Sequence, residues 1–128
     1  MRKDDNLEAT IARLRTERAV LEREAHDVGK VDGLASAPDM TFDQLSYAVG
    51  KFQHGTEEVY DYQVYYNRVL GSIFLSIRET ASDKLDYARL RIFSDVDIDG
   101  RLGPEFLAYL VGWRESVAEF WSKVKGSL

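Results

Sequence analysis

The 128-residue chain reads as an all-α protein, an N-terminal coiled-coil-like helix joined by a linker to a compact bundle of three to four helices. Three observations predict this. Apolar side chains recur every three or four residues over long stretches, the spacing of one face of a helix. No segment shows the alternation of apolar and polar residues that marks a half-buried strand. Hydrophobic residues make up 45% of the chain, enough to fill one core of useful size.

The first helix spans about residues 5 to 28. Leu7, Ile11, Leu14, Leu21, Ala25 and Val28 hold the four-three spacing of a heptad seam, with Arg18 on the same line. Asp4, Asp5 or Asn6 caps its start, and Gly29 stands where a helix should stop. Residues 1–29 are therefore read as a self-association element that makes the protein a homo-oligomer, in the simplest case a homodimer. Two features weigh against a plain parallel pair. Arg18 occupies a core position, and Glu17 would face Glu22 of the second helix. Trimeric or antiparallel pairing are the alternatives, and the plainer one is a helix packing on its own domain.

Residues 30–40 are the predicted linker, because Gly29, Gly33, Ser36 and Pro38 interrupt any regular pattern. The bundle follows at 41–128. Thr41 and Gln44 have the form of a capping box, in which each side chain takes the other's backbone N–H. The helix they open carries Phe42, Leu45, Val49 and Phe52 on one face and should end near His54 and Gly55. Thr56, Glu57 and Glu58 start the next helix, with acidic residues at the positive end of its dipole. Its wide apolar face, from Val59 to Ile77, marks it as central. Tyr60 and Tyr65 fall off that face and are read as a partner-binding surface, since tyrosine suits interfaces that are half apolar and half wet.

A shorter helix follows, about residues 83 to 93, with Leu85, Ala88 and Ile92 facing inward. The last helix opens at Pro104, because a missing N–H is harmless at the first helical position. Phe106, Leu110, Trp113, Val117, Phe120 and Val124 then hold heptad spacing until Gly126.

Charge and composition exclude several classes. Residues 1–30 carry seven basic and seven acidic side chains, so the net charge of −5 arises beyond them. No clustered basic face is present to displace phosphate counterions, so nucleic acid is not an expected partner. The chain has no cysteine, which rules out disulfides, a thiol nucleophile and Cys-based zinc. No apolar run approaches the twenty or so residues of a membrane span, and no secretory signal opens the chain. A cytoplasmic protein with no membrane partner is expected.

The strongest chemical signal lies between the last two helices. Asp95, Asp97 and Asp99 alternate, Gly100 follows, and Arg101 offers a backbone carbonyl two residues beyond Asp99. Phe106 stands where a bidentate glutamate would complete the set, and Glu105 is one residue early. Residues 95–106 resemble an EF-hand calcium loop, incomplete at its last position. The resemblance implies calcium held by the side chains of Asp95, Asp97 and Asp99 and the carbonyl of Arg101, with Glu105 in place of the missing ligand. The competing reading is a solvated acidic turn closed by its own Asx hydrogen bonds.

No phosphate-binding glycine loop, nucleophile elbow or zinc-protease pattern is present, and the two histidines form no repeated ligand spacing. The expected function is non-enzymatic: a self-associating adaptor or regulatory module that binds another protein. The alternative is a calcium-binding or calcium-stabilised regulatory protein, and a third class is a small hydrolase or lyase using Asp and Tyr side chains.

Overall fold

The computed structural model describes residues 3–50 and 87–128, and within them the chain is helical. Four helices are seen in this part: α1 (Lys3–Ser36), α2 (Phe42–Gly50), α3 (Tyr87–Phe93) and α4 (Pro104–Val124). Single 3₁₀ turns follow α1 and α4, at Ala37–Asp39 and Lys125–Ser127. The predicted all-α bundle is what forms, and among the described residues the only extended pairing is one bridge between Val96 and Leu102. The predicted helix with Tyr60 and Tyr65 on its flank lies outside the described residues.

The core forms around α4. Phe106, Tyr109, Leu110, Trp113 and Val117 are buried, as the heptad spacing of this helix predicts. Leu45 and Ala48 of α2, Ile92 of α3 and Ala25 of α1 close around them. Phe93, Phe106 and Tyr109 form a triangle of rings with centroids 5.3 to 6.1 Å apart, mostly edge to face. Phe42 meets Trp121 edge-on at 5.4 Å and ties the start of α2 to the far end of α4.

The predicted caps form. The Thr41 N–H donates to Gln44 Oε1 (2.9 Å) and the Gln44 N–H to Thr41 Oγ1 (3.2 Å), the reciprocal pair of a capping box. Pro104 takes the first position of α4 behind Gly103.

The predicted linker is corrected. Residues 30–36 belong to α1, which runs through Gly29 and Gly33 without a break, and only Ala37–Asp39 form a separate turn. A glycine inside a helix costs about 1 kcal/mol relative to alanine, which is why the sequence suggested a stop. Here the cost is offset by contact with α4. A Cβ on Gly29 would overlap the Tyr109 carbonyl, one on Gly33 the Trp113 carbonyl, and one on Gly112 the His26 carbonyl. Three bare backbone surfaces thus let the two helices touch main chain to main chain. The arm and the described part of the bundle are accordingly joined by packing as well as by chain, since α1 supplies part of the core.

Contacts fix the direction of this pairing. Arg91 of α3 bridges Glu24 and Glu105, at 3.6 and 2.6 Å; farther along, Gly29 meets Tyr109 and Gly33 meets Trp113. The two helices therefore advance together, and the start of α4 is level with about Glu24. Everything in α1 before that level stands clear of α4.

Candidate functional site

Alpha1 divides into a packed half and a free half along one face. At 34 residues it is about 50 Å long. Positions 7, 11, 14, 18, 25, 29, 32 and 36 are separated by steps of three, four or seven, so they share one side of the helix. From Ala25 onward that side is covered by α4. From Asn6 to Val20 every residue is exposed. Leu7, Ile11 and Leu14 keep 59%, 39% and 49% of their surface in water. The free half holds its charge in local pairs, Arg13 with Glu17 at 3.1 Å and Arg18 with Glu22 at 3.0 Å.

Of the seam residues, Leu7, Ile11, Leu14 and Arg18 lie on this open stretch and Leu21 is half-buried at its boundary. Ala25 and Val28 do not belong to a free seam. Ala25 is fully buried and Val28 packs against the same core, so their heptad positions are filled by α4 of the same chain. The expectation overreached there because intrachain and interchain partners demand the same spacing.

The acidic loop links α3 to α4, and its aspartates have structural tasks. The Asp95 carboxylate accepts the Glu105 N–H at 2.9 Å, capping α4 from outside, while the Asp95 carbonyl accepts the Gly103 N–H at 2.8 Å. That carboxylate fills the space where a Cβ of Gly103 would sit. Asp97 Oδ1 accepts the N–H groups of Asp99 (2.9 Å) and Arg101 (2.8 Å), an Asx arrangement. Gly100 takes φ 79°, the left-handed region glycine enters freely.

The five residues of the calcium reading are thus engaged as follows. Asp95 and Asp97 hold backbone donors, and Asp99 is exposed at the tip. The Arg101 carbonyl accepts the Asp97 N–H at 2.9 Å, and Glu105 is salt-bridged to Arg91 at 2.6 Å. Hydrogen bonding to Glu105 raises the Arg91 pKa and keeps its charge in place. Phe106 points into the core. Among the described residues no three acidic or histidine side chains converge as a metal would require. In this arrangement the Asp95 carboxylate caps α4 and the Glu105 carboxylate is held by Arg91.

A third cluster was not anticipated from the sequence. Asp32, on the face of α1 that meets α4, accepts two hydrogen bonds from Arg89 at 2.6 and 3.1 Å and one from the Tyr109 hydroxyl at 2.7 Å. The Arg89 and Asp32 side chains are only 15% and 12% exposed. Burial, then the negative charge of Asp32, pushes the Tyr109 pKa far up. This cluster locks α1, α3 and α4 together. Its three members are 57 and 77 residues apart in sequence, with no local signal to join them. His26 Nε2 lies 3.1 Å from a carboxylate oxygen of Glu115 on α4. Val20, Val28 and Val31 of α1, with Arg89 of α3, line an open groove of about 600 Å³.

No family model, curated protein or solved structure matches this chain.

Proposed function

We propose that this protein is a non-enzymatic interaction module that self-associates through the free half of α1. One observation carries the reading: a 15-residue stretch of helix, Asn6–Val20, exposes an apolar stripe in line with the face that α4 covers from Ala25 on. An isolated helix of this length is marginal in water, so the arm gains most by finding a partner for the stripe. Heptad spacing makes a second copy the natural one, because the same seam is self-complementary.

The expected strength is modest. Burying the exposed part of Leu7, Ile11 and Leu14 in each copy is worth about 1 kcal/mol per side chain. Most of the roughly 6 kcal/mol from the six side chains is offset by the cost of association, so the stripe alone gives weak affinity, on the order of millimolar or weaker. Light scattering on the full chain from roughly 10 µM to a few mM, a range that reaches such weak pairing, should show mass rising toward a dimer. The double variant I11D/L14D should stay monomeric with an unchanged melting temperature, since both positions are exposed in the single chain. Constant monomer mass for the unaltered chain across that range would sink the reading.

A second reading is calcium stabilisation of the 95–106 loop, favoured by Gly100 holding a left-handed turn at the loop's sixth position. Under it, millimolar calcium raises the melting temperature, D99A abolishes the gain, and titration calorimetry gives heat. Under the adaptor reading the loop is a structural turn, and calcium changes neither quantity.

A further inference from the structure

We infer that the second copy docks antiparallel, with a two-fold axis between Ala12 and Arg13. The inference rests on the self-association reading above and fixes its geometry. Three observations lead to it.

The first is steric. The face that carries Leu7, Ile11 and Leu14 is the face α4 covers from Ala25 on. In a parallel pair both seams face inward along their whole length, so both α4 helices would need the space between the two α1 helices. In an antiparallel pair centred at residues 12 and 13, the first described residue of one helix, Lys3, falls level with Glu22 of the other. That is just short of the start of α4. The open stretch is filled from end to end, and α4 of neither copy enters it.

The second is the order of layers. Parallel pairing stacks Arg18 on Arg18, a like-charge layer inside the seam. The antiparallel register stacks Ile11 on Leu14 twice in the middle and Leu7 on Arg18 at each end. There the aliphatic stem of Arg18 covers the leucine while its guanidinium keeps Glu22, its partner within the chain at 3.0 Å.

The third is charge along the flanks. Parallel pairing sets Glu17 against Glu22 of the second copy. Antiparallel pairing sets Glu8 against Arg15 twice, once on each side of the axis, and places Glu17 beside Thr10. Glu8 and Arg15 are exposed, and neither is paired within the chain among the described residues. They are the opposite charges the seam leaves available.

Disulfide trapping tests this without background, since the chain has no cysteine of its own. In the antiparallel pair, two copies of position 7 are about 16 Å apart along the axis, beyond the roughly 7 Å limit for bridging, whereas positions 7 and 18 adjoin. The full-length variants L7C and R18C, each alone and then mixed, are oxidised with glutathione. The expected result is covalent dimer in the mixture only. Self-bridging of L7C alone, in a protein that light scattering shows to be a dimer, overturns the antiparallel register and leaves self-association standing. Dimer mass with no bridge in any combination moves the interface elsewhere and also overturns it. Monomer mass throughout removes both claims together. Charge reversal gives an independent check. E8R should weaken dimerisation about tenfold, and E8R/R15E should restore it. In a parallel pair position 15 faces Thr10, so the second change would restore nothing.

Discussion

Tyr109 shows how much one polar atom can hold in a core of this size. Its ring is buried between Phe93 and Phe106, and its hydroxyl donates to an Asp32 already bound by Arg89. Y109F keeps the ring contacts and leaves Asp32 with Arg89. It should cost about 1.5 to 3 kcal/mol, the range for a hydrogen bond to a charged group. The pH dependence follows from the raised pKa. An unfolded tyrosine loses its proton near pH 10 while the folded one keeps it. Above pH 10 the folded state therefore binds one more proton, and stability falls by about 1.4 kcal/mol per pH unit from this group alone. Chemical denaturation from about pH 9 to 12 should show stability falling toward that slope above pH 10 in the unaltered chain and a shallower fall in Y109F. None of this was legible in the sequence. Asp32 sat in a predicted linker, and Tyr109 fell beside the heptad stripe rather than on it. Asp95 was legible as a turn residue but not as the cap of α4, because the ten residues between carboxylate and amide hide the pairing.

Helix types and ends were easier to read than helix partners. The capping box at Thr41, the proline start at Pro104 and the buried stripe of α4 all rest on interactions within a few residues, and all form. Gly29 and Gly33 were misread because local propensity and close packing argue in opposite directions. That conflict gives a sharp prediction with an unusual sign. In an exposed helix, glycine to alanine should stabilise by up to about 1 kcal/mol. At Gly29 or Gly33 the new methyl would overlap backbone of α4, which cannot step aside as a side chain can. G29A and G33A should each destabilise by about 1 to 3 kcal/mol, in the range of overpacked cores. Gly126, with open space around its Cα, serves as the control and should show no loss. Thermal unfolding of the three variants decides the matter, and equal behaviour at all three positions would remove the main-chain contact from the account.

For the molecule as a whole, composition and periodicity gave the all-α class, while the boundary between arm and body moved. The sequence placed it at Gly29; packing places it near Glu24, where α4 begins. A truncation at Met40 would therefore strip Ala25, Gly29 and Ala37 from the core and unfold the protein, so it cannot report on self-association. Removing only residues 1–20 should leave the core intact and yield a folded monomer, which light scattering with circular dichroism can check.

Because α1 passes from free arm to packed body with no joint, the arm acts as a stiff spacer rather than a tether. Two copies joined about residues 12 and 13 would hold their bodies roughly 35 Å apart, at 1.5 Å per residue. The bodies would look outward in opposite directions. Such a pair suits bridging two targets at a set separation, and it could not bring both bodies onto neighbouring points of a single small one.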